Sequence, residues 1–153
     1  MAGLDRFINE ISAGKNIMLD TNAVIYYLDG TLPFMGLMSA LFTLVEEGRL
    51  SLNISVITEA ELLVKPYREK RKTAIEAINF FLDEFPNLKI VPVTREISRQ
   101  AAKIRVETDM RLPDAIILAT ALNSHCDLMV GNDSLLMRKA RLYLPVMILQ
   151  EYI

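Results

Sequence analysis

Ile17-Met18-Leu19-Asp20-Thr21-Asn22 is a run of three apolar residues that ends in an acid and two small polar residues. A helical pattern of apolar residues begins at Ala23 and extends to Leu28. The stretch therefore predicts a buried strand that turns directly into a helix. Because ligands of open α/β sheets bind beyond the carboxyl ends of the strands, Asp20 is predicted to lie at a candidate site.

The composition is typical of one globular domain. The chain has 153 residues, of which 52% are hydrophobic and 24% are charged, and this excludes a disordered protein. Its 17 basic and 19 acidic residues give a net charge of −2. That balance excludes a strongly basic surface over the whole molecule but allows a local basic patch. Cys126 is the single cysteine, so no internal disulfide framework is possible.

Neither a signal peptide nor a membrane span is predicted. Residues 1–14 contain Asp5, Arg6 and Glu10 and lack an apolar core. The longest uncharged run, residues 30–45, is too short to span a bilayer. We therefore expect a cytoplasmic protein that does not associate with membranes. The large apolar side chains of that run favour a buried helix, with a subunit interface as the second interpretation.

Strands and helices are predicted to alternate along the chain. Strands are expected at about 16–19, 50–54, 88–93, 128–131 and 146–149, and helices at about 3–13, 22–28, 34–47, 56–64, 67–83, 95–108, 112–124 and 134–140. Ser55 and Thr94 are predicted as helix caps, and Pro66 is expected just beyond the fourth helix. The order implies right-handed crossovers and a parallel sheet covered by helices on both faces. We expect an α/β fold of three layers, α/β/α, as a single domain over residues 1–153.

Three acids lie next to the ends of predicted strands or helices. Asp20 follows the first strand, Asp133 follows the fourth, and Asp114 lies in the first turn of a helix. Taken alone, each is best explained as a helix cap or as a complement to the helix dipole. Their combination indicates more, because Asp20 and Asp133 would flank a switch point if the strand order reverses between the first and fourth strands.

A fourth acid lies inside the helix predicted over residues 56–64. Glu61 shares a helical face with apolar residues, so a role as an ordinary solvent-exposed acid explains its position poorly. Its alternative role is a surface pair with Lys65, four residues further along the helix. Glu59 is a competing candidate, and the periodicity of the helix does not separate the two acids.

Carboxylates gathered at one edge of a sheet would favour a bound cation. They repel one another, and their pKa values must rise unless protons or cations neutralise them. Oxygen ligands without Cys or His favour hard ions such as Mg²⁺ or Mn²⁺ over zinc. The chemistry that needs such a cluster is metal-assisted cleavage of a phosphodiester, in which the metal activates water and clamps the phosphate.

Four short motifs follow one another along the chain. They are Leu19-Asp20-Thr21-Asn22, Ser55-Val56-Ile57-Thr58-Glu59-Ala60-Glu61-Leu62, Leu112-Pro113-Asp114-Ala115-Ile116-Ile117-Leu118-Ala119-Thr120-Ala121 and Val130-Gly131-Asn132-Asp133. With these motifs the chain resembles the PIN domain ribonucleases, most closely the VapC-like toxins of bacterial and archaeal toxin–antitoxin pairs. The family's second motif has its acid three residues after the Thr, which selects Glu61 over Glu59. The family commonly has Thr two positions before the fourth acid, where this chain has Gly131.

The resemblance implies a metal-dependent endoribonuclease. The residues that would carry catalysis and bind one or two Mg²⁺ or Mn²⁺ ions are Asp20, Glu61, Asp114 and Asp133. Thr21 or Asn22 would orient ligands or the substrate phosphate from the helix start, where backbone N–H groups favour anions. The resemblance also implies an RNA substrate, a homodimer and an antitoxin protein as partner.

Basic residues follow two of these acids along the chain. The group after Glu61 comprises Lys65, Arg68, Lys70, Arg71 and Lys72, and the group after Asp133 comprises Arg138, Lys139 and Arg141. A solvated helix face is one interpretation of each group. Contact with RNA phosphates is the other, and we favour it, with Lys65 and Arg68 as substrate-binding residues.

Other classes of function find less support in the residues. No nucleophile motif accompanies His125, the only histidine, so we favour structural roles for His125 and for Cys126. A phosphoacceptor receiver domain would need an acid at the end of the third strand, where the chain has Val91-Pro92-Val93-Thr94-Arg95. The alternatives to a toxin are a non-catalytic PIN-like module that binds RNA or protein and a housekeeping RNA-processing nuclease.

Overall fold

Five parallel strands form the central sheet in the computed structural model of the chain, which describes residues 2–153. The strands are β1 (Asn16–Leu19), β2 (Ser51–Ser55), β3 (Leu88–Val91), β4 (Leu128–Gly131) and β5 (Val146–Ile148). They are arranged in the order β3-β2-β1-β4-β5, with β1 in the middle. Register is set by pairs such as Met18 with Asn53 on one side and Met18 with Met129 on the other.

Helices connect the strands and cover both faces of the sheet. Within residues 2–153 they are α1 (Ala2–Ile11), α2 (Thr21–Asp29), α3 (Met35–Glu46), α4 (Val56–Arg68), α5 (Lys72–Glu84), α6 (Arg95–Thr108), α7 (Leu112–Asn123) and α8 (Ser134–Ala140). A 3₁₀ helix, Leu149–Tyr152, follows β5. None of the helices described has the length and apolar character needed to span a bilayer.

Alternating side chains of the strands divide the core into two halves. Ile17 and Leu19 of β1 are fully buried in one half, together with apolar residues of α1, α2 and α3. Met18, between them, is fully buried in the other half with residues of α6, α7 and α8. This alternation is why one short apolar strand can be covered on both faces. The predicted three-layer α/β/α fold is confirmed.

Polar residues at the strand ends start several helices. The side chain of Asp20 caps α2, and Ser55, the last residue of β2, accepts a hydrogen bond from the Ile57 N–H at the start of α4. Thr94 and Asp133 cap α6 and α8 in the same way. The predicted Ser55 and Thr94 caps are thus confirmed.

The predicted boundary between the fourth and fifth helices is wrong. Helix α4 continues through Pro66 to Arg68, and α5 begins at Lys72 instead of residue 67. Proline removes one backbone donor from a helix, but Pro66 is buried, and its carbonyl accepts from the Arg71 N–H in the turn that follows. Lys70 adopts a positive φ of 55° there, which turns the chain toward α5.

The ends of two predicted strands also require correction. Strand β3 stops at Val91, two residues earlier than expected, and β5 stops at Ile148. Leu149, assigned to the last strand from sequence, instead begins the 3₁₀ helix and is fully buried. The apolar character of Leu149 is shared by strands and buried helical turns, so its pattern could not separate the two.

The strand order reverses between β1 and β4, which is the condition under which Asp20 and Asp133 flank a switch point. The chain passes from β1 through β2 to β3 on one side, then crosses to β4 and β5 on the other. The carboxyl ends of β1 and β4 therefore border the switch point at which open α/β sheets bind ligands. Asp20 and Asp133 lie just beyond these two ends.

Candidate active site

All four predicted acids line one cavity of about 270 Å³ beyond the carboxyl ends of β1 and β4. Each acid comes from a different part of the chain: the end of β1, helix α4, helix α7 and the end of β4. The lining residues are Asp20, Thr21, Asn22, Ile25, Glu61, Arg111, Asp114, Ile117, Asp133 and Leu136. The fold thus brings together every residue predicted at the metal site, and Thr21 and Asn22 with them.

Asp20 is the most buried of these acids, with 3% of its surface exposed. Its Oδ1 accepts a hydrogen bond from the Ala23 N–H at 2.9 Å, and its Oδ2 accepts one from the Asn132 N–H at 3.3 Å. Burial raises its pKa from 3.8 to about 6; the two backbone hydrogen bonds oppose this shift, and the charges of Asp133 and Asp114 add to it. Asp20 is therefore a helix cap that also carries an unfavourable buried charge at neutral pH.

Gly131, the last residue of β4, leaves the space that the Asp20 carboxylate occupies. A Cβ at position 131 would overlap Oδ2 of Asp20 and would lie 2.5 Å from its Cγ and 2.9 Å from Sδ of Met137. These distances are shorter than van der Waals contact, so no larger residue fits here with Asp20 in this orientation. At this position, where the family commonly has Thr, the absence of a side chain leaves room for the Asp20 carboxylate in this orientation.

Asp114 and Asp133 face the same cavity with more exposure to solvent. Burial raises the pKa of Asp114; the Arg111 guanidinium lowers it, and the charges of Asp133 and Glu61 raise it. Asp133 is exposed, and its Oδ1 accepts a hydrogen bond from the Leu136 N–H at 3.0 Å. Asp114 is thus close enough to feel the charges of Asp133 and Glu61, as Asp20 feels those of Asp133 and Asp114.

Glu61 is bonded to Thr21, which is itself bonded to Thr58, and not to Lys65. The Thr21 hydroxyl donates to Oε1 of Glu61 at 2.6 Å, and the Oγ1 atoms of Thr21 and Thr58 are 2.9 Å apart. Thr21 has a single hydroxyl proton, so the buried Thr58 is the donor in the second contact. Glu61 and Lys65 form no ion pair in the described chain. Glu59 does not line the cavity, which agrees with the choice of Glu61.

The donor set suits a hard divalent cation, although the carboxylates are not drawn together into a finished ligand shell. Within residues 2–153, no three His, Cys, Asp or Glu side chains are arranged so that they could hold a metal ion as they stand. Mg²⁺ keeps several waters and is usually held by only one or two carboxylates and by substrate phosphates. Asp20 uses two of about four acceptor positions, which leaves others for a cation.

The sequence reasoning missed three polar residues of the site, and also the apolar residues of the cavity lining, which are Ile25, Ile117 and Leu136. Arg111 lines the cavity at the start of α7, Thr58 supports Thr21, and the Asn132 backbone holds Asp20. Arg111 precedes Asp114 by three residues, a spacing that brings side chains together at a helix start and could have identified it. No local spacing pointed to Asn132, because its contact with Asp20 joins residues that are 112 positions apart in the sequence.

The predicted substrate-binding residues Lys65 and Arg68 are exposed and lie outside the cavity lining. They follow Glu61 at spacings of four and seven residues, so the three side chains share one stripe of α4. The other basic residues of both groups are also at the surface. Several are paired, as in Arg71 with Glu69 at 3.8 Å and Arg141 with Glu151 at 3.3 Å.

His125 and Cys126 lie away from the acids, which agrees with their structural interpretation. His125 is exposed and lines a separate pocket near the amino-terminal ends of the strands. Cys126 is buried, and burial raises the pKa of its thiol to about 12. A thiol with that pKa is not a nucleophile at neutral pH.

Comparison with protein families matches residues 17–142 to the family described as PIN domain. This range contains all four motifs quoted above and all four acids. Among curated proteins, no sequence matches the chain.

Three solved structures from bacteria have the same fold. The VapBC2 complex from Rickettsia felis, bound to a DNA fragment from its promoter, matches with a TM-score of 0.67 and 19% identity, over 87% of this chain and 98% of that one. FitAcB from Neisseria gonorrhoeae matches with a TM-score of 0.66 and 21% identity, over 88% and 98%. A toxin–antitoxin complex from Klebsiella pneumoniae matches with a TM-score of 0.63 and 24% identity, over 87% and 97%.

Proposed function

Since the chain belongs to the PIN domain family, we propose that it is a metal-dependent endoribonuclease and the toxin of a toxin–antitoxin pair. One observation carries the nuclease assignment: acids from four separate segments line a single cavity at the switch point of the sheet. Helix capping explains Asp20 and Asp133 individually but does not explain why Asp114 and Glu61 face them. A site that gathers and stabilises positive charge explains all four.

The four acids would hold one or two Mg²⁺ or Mn²⁺ ions, with Asp20 as the central ligand. A bound divalent cation would supply a Lewis acid that activates water and stabilises charge on the phosphate. The contact of Thr21 with Glu61 at 2.6 Å orients that carboxylate toward the cavity. Asn22 would contact a substrate phosphate, and its exposure at the cavity supports this role.

Arg111 is the basic residue among those that line the cavity. Its planar guanidinium can donate two parallel hydrogen bonds to phosphate oxygens. We assign it to the phosphate at the cleaved bond, because it faces the acids from the start of α7 and its charge already acts on Asp114. Its side chain is exposed and is absent from the ion pairs of residues 2–153.

RNA on either side of the cleaved bond would follow the stripe of α4 that begins at Glu61. With a rise of about 1.5 Å per residue, Lys65 and Arg68 lie about 6 and 10 Å further along the helix axis. These intervals place positive charge outside the cavity at successive positions along a bound strand. Lys65 and Arg68 would therefore contact phosphates flanking the site.

The decisive experiment compares Asp20→Asn with a matched surface variant. Asp127 also accepts backbone N–H bonds, from Lys15 at 2.8 Å and Asn16 at 3.1 Å, but lies at the opposite ends of the strands. We expect Asp20→Asn to abolish Mg²⁺-dependent cleavage of RNA while the circular dichroism spectrum stays unchanged. Asp127→Asn should cleave like the wild type. Full activity of Asp20→Asn would refute the assignment.

A second function is favoured by one observation: no three acids in residues 2–153 form a ready-made metal site. A PIN-like module that binds RNA or protein without cleaving would have the same fold and no need of metal. Thermal unfolding in a titration with Mg²⁺ or Mn²⁺ separates the two. A nuclease site should raise the melting temperature as the cation concentration rises, and the increase should disappear in Asp20→Asn. An unchanged melting temperature in the wild type would favour the binding module.

The toxin assignment is supported by neighbours of the same fold that were solved as VapBC or toxin–antitoxin complexes. A toxin should arrest growth when it is expressed in bacteria, and Asp20→Asn should not. A protein encoded beside it should restore growth and should form a complex with it. A housekeeping nuclease would instead be tolerated. We also propose a homodimer, which sedimentation of the purified protein would detect.

A further inference from the structure

Asn132 connects three separate parts of the molecule around Asp20. Its backbone N–H donates to Oδ2 of Asp20 at 3.3 Å. Its Nδ2 donates to the Tyr26 hydroxyl on α2 at 3.2 Å, and its Oδ1 accepts from the Gln150 N–H in the 3₁₀ helix at 2.8 Å. Asn132 thus bonds to the acid through its backbone, and to α2 and the 3₁₀ helix through the two ends of its side-chain amide.

We propose that Asn132 is a positioning residue that acts through Asp20. Its side chain fixes the backbone of the segment after β4, and the Asn132 N–H then holds the Asp20 carboxylate toward the cavity. The inference rests on the proposed nuclease function, in which Asp20 is the central metal ligand. It adds the C-terminal 3₁₀ helix to the parts of the fold that determine the geometry of the site.

The side chain of Asn132 is needed because the backbone contact with Asp20 is at the long end of the hydrogen-bond range. A small movement of the segment after β4 would break it. Gly131, the neighbour of Asn132, has no side chain that could pack and hold this segment. The side-chain amide of Asn132, through its bonds to Tyr26 and Gln150, therefore fixes the position of the Asn132 backbone N–H.

Both partners of the Asn132 amide are themselves held firmly. The ring of Tyr26 stacks on that of Phe34, with centroids 4.5 Å apart. Gln150 lies in the 3₁₀ helix, whose Leu149 and Tyr152 are buried in the core. Tyr152 packs edge-on against Phe7 of α1, with centroids 5.4 Å apart. A continuous set of contacts therefore leads from the hydrophobic core to the Asp20 carboxylate.

The test compares Asn132→Ala with Asn16→Ala, a matched change at the other end of β1. Asn16 is also half-buried, and both ends of its side-chain amide are also bonded: Nδ2 donates to the carbonyls of Ser124 at 3.0 Å and His125 at 3.4 Å, and Oδ1 accepts from Asn53 at 2.6 Å. The measurements are Mn²⁺ affinity by calorimetry without RNA, kcat and KM for a model RNA, and the melting temperature. We expect Asn132→Ala to lower kcat and Mn²⁺ affinity about 10–100-fold, as is usual for partners of metal ligands, with KM unchanged.

Asn16→Ala should lose a similar amount of thermal stability and keep the wild-type kcat and Mn²⁺ affinity. Equal kcat and Mn²⁺ affinity in Asn132→Ala and wild type would overturn the positioning role and leave the proposed function standing. If Asn132→Ala fails to fold, Tyr26→Phe removes one partner with little change in shape and should lower Mn²⁺ affinity in part; no change would again overturn the role. A wild-type protein that neither binds Mn²⁺ nor cleaves RNA would overturn the proposed function and this inference with it.

Discussion

The fold holds the Asp20 carboxylate in a buried position, which lowers the stability of the metal-free protein when the carboxylate is charged. It caps α2 through the Ala23 N–H, which favours its charged form, but it is 3% exposed. Burial is the stronger effect, because the pKa rises to about 6. A carboxylate of this kind is stabilised by a nearby cation more than by solvent, which suits a ligand better than a cap.

This pKa predicts an unusual pH dependence of stability without metal. Between about pH 4 and 6 the folded protein keeps a proton on Asp20 that the unfolded chain has released. The free energy of unfolding therefore falls as pH rises through this window. The difference between a pKa of 3.8 in the unfolded chain and about 6 in the folded protein corresponds to a loss of about 3 kcal/mol in the free energy of unfolding across the window. Urea unfolding in EDTA should show Asp20→Asn gaining stability relative to wild type between about pH 4 and 7. A constant difference between the two proteins across this range would contradict the prediction.

Gly131→Ala tests whether the space beside Asp20 matters for function. The added methyl would collide with the Asp20 carboxylate, and we expect a loss of about 1–3 kcal/mol in the free energy of unfolding. Cleavage and Mn²⁺ affinity should fall at least tenfold, measured by RNA cleavage and calorimetry.

Gly36→Ala in α3 is the control, since a Cβ there has no atom within 4 Å. It should keep full activity and gain about 0.5–1 kcal/mol in the free energy of unfolding. Wild-type cleavage by Gly131→Ala would show that the Asp20 carboxylate tolerates displacement.

At the scale of elements, α4 combines a cavity acid with basic residues outside the cavity. Glu61, Lys65 and Arg68 share a stripe because the helix continues to Arg68 without interruption at Pro66. Had the helix ended at residue 64, as the sequence suggested, Arg68 would not be on that stripe. The longer helix thus strengthens the case for Lys65 and Arg68 as RNA contacts.

The proposed contact of Lys65 and Arg68 with RNA predicts a change in the salt dependence of RNA binding when these two residues are replaced. In an Asp20→Asn background, which prevents cleavage, the double change Lys65→Gln/Arg68→Gln should weaken RNA binding. The slope of log K against log salt should fall by about 0.7 for each single-strand phosphate that the protein no longer neutralises. Lys70 and Lys72 belong to the same basic group of the sequence but lie beyond the end of α4 and off the stripe. The matched control, Lys70→Gln/Lys72→Gln, makes the same change in charge and should leave the slope unchanged. Equal slopes in both variants would exclude a specific role for the stripe.

The sequence predicted most elements because their signals are local. Helix α6 and strand β4 have the predicted boundaries, and periodicity and caps were sufficient for them. The sequence singled out the acids that share the cavity for the same reason, since each stands at a strand end or within a motif. The start of α5 was missed because the basic residues before it carry no periodic apolar pattern, and a turn at Lys70 replaces the expected helix.

The remaining features depend on contacts between distant residues. Nothing near Gly131 in sequence shows that the Asp20 carboxylate will occupy the place of its side chain. The bonds of Asn132 to Tyr26 and Gln150 likewise cross the molecule. Such contacts follow from sheet order and core packing, which a single sequence predicts only in outline.

At the scale of the whole molecule, the C-terminal 3₁₀ helix fastens the last strand to the first helix. The backbone of Tyr152 lies against Gly3, where a Cβ would meet the Tyr152 carbonyl. The Tyr152 hydroxyl bonds to Glu10, and Arg6 lies 4.4 Å from the centre of its ring. The two ends of the described chain are therefore joined through one aromatic side chain.

We predict that Tyr152→Ala lowers the free energy of unfolding by about 3 kcal/mol, because a buried aromatic ring is removed from the core. Ile153→Ala is the control, since that side chain is 56% exposed and surface changes are usually within about 0.5 kcal/mol. Urea denaturation of both variants provides the measurement. Similar stability of the two would mean that the 3₁₀ helix is only loosely attached.

The bond between Asn132 and Gln150 also has a consequence for how the protein is made. A ribosome adds residue 20 early, residue 133 much later and residue 150 later still. Until Gln150 has emerged, Asn132 lacks one of its two side-chain anchors, and until β4 has emerged, Asp20 lacks both Gly131 and Asn132 as neighbours. A growing chain therefore cannot complete the surroundings of Asp20 before the segment from β4 through Gln150 has been added.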